Sequence, residues 1–157
     1  MSEADDLDRV RRFVEDFALI LTGAGMQRMA ARVWAALLSS DRGMTAREVA
    51  ALLQVSPAAV SGAVRYLEQM SLLRRAREPG ERTDRYAIGD DAWFEALATK
   101  TDTIESLIGS LDKGIAAVPS DGAAAAHMAE TRDFFAYFVA ELPSMLDRWH
   151  AMRTDST

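Results

Sequence analysis

Apolar residues recur at intervals of three and four along most of the chain, which is the spacing of amphipathic helices. The first such stripe ends at Gly23 and Gly25, and a second runs from Met26 to Leu38. We expect a helix from each. The apolar residues that recur at this spacing in the first helix are Leu7, Val10, Phe13, Val14, Phe17 and Leu21. The second is expected to bury Met29, Val33, Trp34, Leu37 and Leu38.

Residues 45–73 predict two further helices joined by a tight turn. Thr45 and Glu48 have the spacing of a capping box, in which each side chain satisfies a backbone N–H of the first turn. We expect this helix to stop near Gln54. Ser56 and Pro57 suit the N-cap and first position of the next helix. Its inward face is expected at Val60, Val64, Leu67 and Leu72.

The outward face of this second helix is small at its N-terminal end and basic one turn further on. Small side chains let a helix approach DNA closely, and serine and arginine can bond phosphates or base edges. The pair therefore predicts a DNA-binding helix-turn-helix, although a plain helical hairpin would show the same periodicity. The predicted DNA contacts are Ser56, Ala58, Ala59, Ser61, Gly62, Arg65 and Gln69.

The following segment favours the DNA-binding interpretation. Residues 72–77 and 82–88 predict two strands, and Pro79 and Gly80 lie in the turn between them. Two strands with a charged tip after a recognition helix make a winged helix. Arg82, just past the turn, is expected to reach the minor groove or its phosphates, with Arg77 and Arg85 flanking it.

Two long apolar helices are predicted after the wing. Asp90 or Asp91 can cap the first, which should end before Pro119, and Pro143 should kink or break the second. These helices and the first helix of the chain are too apolar to cover one small lobe. We expect them to bury their stripes against a second subunit, the alternative being intrachain core. The predicted dimerisation residues are Phe13, Phe17, Phe134, Phe138, Leu142 and Trp149.

The predicted fold is mainly α with a small β-wing: a winged helix-turn-helix flanked by N- and C-terminal dimerisation helices. We assign residues 26–89 to the DNA-binding lobe, and residues 5–25 with 90–152 to the helical dimerisation region of one integrated domain. A two-fold dimer suits this device, because two recognition helices must meet two major grooves one helical turn apart.

The distribution of charge supports DNA as the partner, although the net charge is −6. Residues 42–88 hold eight arginines against five acidic residues, a local charge of +3, while the remainder holds ten basic and nineteen acidic residues. Charges separated by more than about 8–10 Å are screened at physiological salt, so the local excess decides binding.

Other chemistry finds little support in the sequence. There is no cysteine, and two histidines, His127 and His150, do not make a metal site. We expect no enzymatic activity, no cofactor and no metal. The acidic start and the absence of a long apolar run predict a cytoplasmic protein without membrane contact. Trp34 and Trp93 could line a pocket for a small-molecule effector, the alternative being that these rings serve packing alone.

The residues resemble a known family at this point. The stretch VAALLQVSPAAVSGAVRYLE (49–68), followed by PGERTDRY (79–86), is similar to the MarR superfamily. Residues 25–33 resemble its GbsR-type branch more narrowly, although Gln27 stands where that branch has proline, and Gln54 where many relatives have glycine.

This resemblance implies a homodimeric bacterial transcription regulator that a small molecule releases from DNA, and the GbsR-type branch raises a quaternary ammonium ligand. The expected function is a ligand-responsive repressor on a pseudo-palindromic operator. The alternative is a helical protein-interaction module whose basic segment binds an acidic protein partner.

Overall fold

The computed structural model describes residues 2–89 and 92–156, so the expected cap at Asp90 or Asp91 lies outside the described residues. The chain forms two compact units, the first ending at Ala96 and the second beginning at Leu97. The elements are α1 (Glu3–Gly23), α2 (Arg28–Leu38), β1 (Met44–Thr45), α3 (Ala46–Leu53), α4 (Pro57–Gln69), β2 (Arg74–Ala76), β3 (Arg85–Ala87), α5 (Ala92–Ala117) and α6 (Ala123–Thr154).

The two helices of the helix-turn-helix begin at the caps that the sequence predicts. The Thr45 side chain accepts from the Glu48 N–H at 3.2 Å, and the Glu48 carboxylate accepts from the Thr45 N–H at 2.9 Å. Ser56 accepts from the Ala59 N–H and caps α4. Because these caps satisfy N–H groups that the helix leaves free, they fix where each helix starts.

The turn between α3 and α4 is made by a residue in the left-handed region. Gln54 has φ 55° and ψ 47°, and the Val55 N–H donates to the Ala50 carbonyl across it. This arrangement ends many helices, most often with glycine at the left-handed position. Gln54 therefore adopts a backbone conformation that glycine most often supplies.

The core of the first unit lies between α1, α2, α3 and α4. Trp34 is 1% exposed and its Nε1 donates to the Leu72 carbonyl at 3.0 Å, which ties α2 to the start of the wing. Two expectations for α2 were wrong. The helix begins at Arg28 rather than Met26, and Leu38, the last residue of the helix, is exposed. The inward residues predicted for α4 are all buried: Val60, Val64, Leu67 and Leu72.

The wing is a three-stranded antiparallel sheet with the order β1-β3-β2. The strands β2 and β3 are shorter than the strands predicted over 72–77 and 82–88, and β1, which pairs Met44 with Tyr86, was not predicted at all. Gly43 leads into β1 with φ 81°, and a Cβ there would lie 2.6 Å from the Tyr86 carbonyl oxygen. Only glycine lets the chain enter the sheet this closely.

The second unit consists of the greater part of α5 and all of α6. Gly114 allows α6 to approach closely, since a Cβ there would lie 2.7 Å from Met128 Sδ, and Arg132 pairs with Asp112 at 3.1 Å. The apolar stripe of α5 is half-buried from residue 97 onward. The sequence predicts a kink or a break at Pro143, and since α6 continues through this residue, no break occurs there. One proline removes one hydrogen bond, and the remaining turns of a 32-residue helix hold it together.

Candidate nucleic-acid interface

The outer face of α4 is exposed as the sequence predicts. Ser56, Ala58, Ser61, Gly62, Arg65 and Gln69 are exposed, and Ala59 is half-buried. The Ser61 hydroxyl donates to the Pro57 carbonyl at 3.1 Å, which leaves its oxygen able to accept. Arg65 projects from the centre of this face, so a cation lies among short side chains.

Gly62 stands at the middle of α4, where glycine costs about 1 kcal/mol of helix stability relative to alanine. Apart from the neighbouring backbone of α4 itself, none of the residues that the structure describes comes within 4 Å of where its Cβ would be. The packing of this chain therefore gives no reason for a glycine here. A surface outside the chain that approaches α4 closely would give one.

Two arginines fasten the wing to the helix-turn-helix. Arg75 donates through Nε to Glu68 Oε1 of α4 at 3.0 Å, and its guanidinium lies 5.4 Å from the ring centroid of Tyr86. The Glu68 carboxylate, with smaller contributions from Tyr86 and Asp84, raises the pKa of Arg75. The wing is thereby held against the end of α4.

The ion pairs of Arg85 could not be predicted from the sequence. Its side chain is 14% exposed and donates to Glu81 at 3.1 Å and to Glu48 at 3.0 Å. Its hydrogen bond to Glu81, and then that to Glu48, raise the pKa of Arg85. The Thr45 backbone N–H, and then Arg85, lower the pKa of Glu48. Arg85 was predicted to flank the wing tip at the DNA, and the structure shows its guanidinium held between two carboxylates that join β3 to α3.

The acidic residues of the lobe hold three of its arginines and leave the others free. Arg77 pairs with Asp84 at 3.0 Å, so Arg75, Arg77 and Arg85 together engage four carboxylates. Within residues 42–88, all of which the structure describes, the arginines without an ion pair are Arg42, Arg47, Arg65, Arg74 and Arg82. The local charge is therefore concentrated on cations that remain available to a polyanion.

One groove joins the wing to the first turns of both helices. It is lined by Arg47 near the start of α3, Pro57 at the start of α4, and Arg77 and Arg82 of the wing. Asp84 also lines the groove and pairs with Arg77, so Arg47 and Arg82 are the cations left for an anion. Unpaired cations beside two helix N-termini make a favourable place for a phosphate. From the sequence, Arg47 was predicted only to add to the positive charge of residues 42–88. Its position two residues after Thr45, the N-cap of α3, could have identified it as a phosphate-binding candidate.

The two tryptophans predicted for an effector differ in exposure. Trp34 is buried in the core, whereas Trp93 is 59% exposed and meets Trp34 edge-on at a centroid distance of 5.1 Å. Phe17 stacks on Trp34 at 6.0 Å and Phe13 on Phe17 at 5.4 Å, so four rings form a row. Of this row, Trp93 offers the most accessible ring.

The residues predicted for dimerisation fall into two groups, those that pack within this chain and those that are exposed. Phe17 packs on the core of the first unit and Leu142 is buried within the chain, so both serve its own packing. Phe13, Phe134, Phe138 and Trp149 keep more than a third of their surface exposed. In the described part of the chain, no helix combines the length and hydropathy needed to cross a bilayer.

Two family models match the chain. The MarR family model matches residues 24–82, and a model of MmpR5-like MarR family transcriptional regulators matches residues 91–152. No curated protein matches significantly. The crystal structure of a transcriptional regulator is 22% identical, with a TM-score of 0.78 over 91% of this chain and 99% of the other, which shows the same fold.

Two further crystal structures are similar at a lower level. MepR, a transcription regulator of the Staphylococcus aureus multidrug efflux pump MepA, is 16% identical over 92% of this chain and 99% of its own, with a TM-score of 0.42. A MarR family regulator from Rhodococcus sp. RHA1 is 19% identical over 88% and 96%, with a TM-score of 0.42. At these TM-scores, nothing about this chain is inferred from either structure.

The winged helix, its exposed basic face and the two matching models define the class: a DNA-binding transcription regulator without enzymatic activity. The chain belongs to the MarR family of winged-helix transcriptional regulators. The family-level resemblance drawn from residues 49–86 is thereby confirmed.

Proposed function

We propose that this protein is a homodimeric repressor that inserts α4 of each protomer into successive major grooves of a pseudo-palindromic operator. The observation that carries this proposal is the set of arginines without an ion pair in α3, α4 and the wing, together with Gly62 exposed near the middle of α4. These arginines are Arg47, Arg65, Arg74 and Arg82. Repression follows if the occupied operator overlaps a promoter. We place this activity in the cytoplasm, where the DNA is.

Each part of the interface has a role in the proposal. Arg65 reads a base edge, with guanine the best match for a bidentate guanidinium, and Arg82 enters the minor groove or contacts its phosphates. Arg47 holds a phosphate in the groove beside α3. The short side chains let α4 approach, and Arg77 and Arg85 support the wing. The remaining contacts proposed on α4 are Ser56, Ala58, Ala59, Ser61, Gly62 and Gln69.

The dimer is proposed because the second unit leaves large apolar side chains on its surface. Phe134 and Tyr137 are 63% and 65% exposed on α6, and Trp149 is 52% exposed further along the same helix. Exposed aromatic residues this close together mark protein interfaces. MarR family regulators act as dimers, and a second copy of α6 would cover such a surface.

The DNA interface is tested by single substitutions measured on a duplex that the native protein enriches from a random library. Arg65→Ala should cost about 1–3 kcal/mol on that duplex and relax specificity at one position. Arg82→Ala should weaken binding to every sequence similarly and lower the salt slope by about one. Arg12→Ala removes an exposed arginine of α1 as the control. Native affinity in a folded Arg65→Ala protein would remove that residue from the interface.

Assembly is tested by sedimentation at micromolar concentration. Phe134→Asp places a charge on the exposed face of α6 and should convert a dimer to a monomer while circular dichroism stays unchanged. A native protein that sediments as a monomer would refute both the dimer and the palindromic operator.

We further propose that a small molecule releases the protein from its operator. The exposed ring of Trp93 suits a cation or a planar aromatic molecule, and the likeness of residues 25–33 to the GbsR-type branch favours quaternary ammonium compounds. By linkage, an effector that weakens DNA binding must itself bind less tightly when operator is present. Titration of choline and of aromatic acids with and without operator tests this, and equal affinity in the two titrations would exclude a compound.

A further inference from the structure

The short helix α3 is fastened at both ends by arginines from other elements. Its N-terminal turn is joined to the wing through Glu48 and Arg85. At its C-terminal end, Arg11 of α1 donates through Nε to the Leu52 carbonyl at 3.2 Å, and Arg32 of α2 donates through Nη2 to the Leu53 carbonyl at 3.1 Å. We call Arg11 and Arg32, with these two carbonyl contacts, the α3 clamp.

The physical reason for the clamp is that the carbonyl groups at a helix C-terminus lack hydrogen-bond donors. The last carbonyls of a helix have no N–H partner within it and carry partial negative charge, so cations stabilise them. The last turn of α3 contains no basic residue of its own. The cations come instead from α1 and α2, which makes the end of α3 the point where three helices are joined by directional bonds.

Arg32 is the more constrained of the two. Its side chain is 16% exposed, and its Nε and Nη2 donate to Glu15 Oε1 of α1 at 2.9 and 2.6 Å while Nη2 also reaches Leu53. One guanidinium therefore binds α1 and α3 together from α2. A fork of this kind fixes orientation as well as distance.

We propose that Arg11 and Arg32 are positioning residues that set the angle of the helix-turn-helix to α1. The exposed Leu19 and Ile20 of α1, 73% and 71% exposed, belong in this proposal to the dimer contact, so that the angle sets the separation of the two recognition helices in the dimer. This proposal rests on the proposed function, because it needs a dimer that reads two half-sites. Val14 and Phe17 already pack α1 on the core. The clamp adds the directional bonds that non-directional apolar packing lacks.

The test compares spacing selectivity rather than affinity alone. The probe is the duplex that the native protein enriches from a random library, together with the same duplex carrying one extra base pair between its half-sites. One base pair moves a half-site by about 3.4 Å along the DNA axis and turns it by about 35° around that axis. The native protein should lose at least about tenfold in affinity for the longer duplex, whereas Arg11→Met with Arg32→Met should lose less than about threefold.

Arg12→Met with Arg28→Met is the matched control, because it removes the same charge from exposed positions on the same two helices and should keep the native spacing penalty. If the clamp variant does not fold, Arg11→Lys with Arg32→Lys keeps both charges but loses the fork, and an intermediate penalty is expected. A native penalty in a folded clamp variant, or no penalty in the native protein, would overturn the proposal. Failure to enrich any sequence would instead refute the proposed function, and the clamp proposal with it.

Discussion

Replacing Gly62 by alanine should move fold stability and DNA affinity in opposite directions. Alanine is favoured over glycine in a helix interior by about 1 kcal/mol, and the added Cβ meets nothing within 4 Å in this chain. The free energy of unfolding should therefore rise by about 1 kcal/mol, which for a chain of this size corresponds to about 2–4 °C in Tm. A gain in stability with a loss of binding is the expected result where a residue is kept for function at the expense of stability.

On DNA the same methyl group has the opposite effect. It would stand on the face of α4 that we propose to lie against base edges, where an inserted methyl costs about 1–3 kcal/mol if neighbouring groups cannot move. Operator affinity should fall by at least about fivefold. Fluorescence anisotropy measures the affinity, and chemical denaturation followed by circular dichroism measures the stability.

Gly109→Ala provides the comparison. Gly109 is exposed in the interior of α5, its Cβ would also meet nothing within 4 Å, and it lies outside the proposed DNA interface. This variant should gain similar stability and keep native affinity for operator. Should Gly62→Ala be more stable and bind the operator as tightly as the native protein, the close approach of α4 to DNA would be refuted.

Three further predictions concern stability. Gln54→Gly should raise the free energy of unfolding by about 0.5–1 kcal/mol, because glycine removes the penalty of a left-handed residue, and an unchanged urea midpoint would contradict this. Pro143→Ala restores a hydrogen bond inside α6 and should raise Tm by an amount equivalent to at most about 3 kcal/mol; a lower Tm would show that the helix needs its proline. Glu48→Gln keeps the capping hydrogen bond but loses the pair with Arg85, and should cost about 0.5–1 kcal/mol at pH 7. Since the folded state lowers the pKa of Glu48, this contribution is present above its ordinary value of 4.5 and is lost as pH falls through the folded pKa, so the two proteins should converge in stability at low pH.

The sequence predicts the structure correctly where that structure depends on residues close together in the chain. The caps at Thr45 and Ser56 act over three residues, so their pattern predicts where α3 and α4 begin. The inward face of α4 follows from its 3.6-residue period. The two-residue strand β1 is too short to leave a pattern, and its pairing with Tyr86 joins residues 42 positions apart.

The allocation of the arginines could not be predicted for the same reason. Arg85 and Glu48 are 37 positions apart, and Arg11 and Leu52 are 41 apart. Periodicity places a side chain on a face, but it does not say which carboxylate or carbonyl another element brings to that face. The sequence thus identified the basic lobe but could not separate the arginines that hold it together from those that remain free.

This division among the arginines has a consequence for competition from bulk chromosomal DNA. Non-specific affinity grows with the number of phosphates that a protein can neutralise, and a genome offers about 10⁶–10⁹ competing sites. Arg75, Arg77 and Arg85 order the wing while their charges are balanced by four carboxylates. The lobe therefore gains a fixed shape without a matching gain in sequence-independent attraction. A smaller share of the molecules is held on ordinary DNA than if all eight arginines faced solvent, and more of them remain free to find an operator.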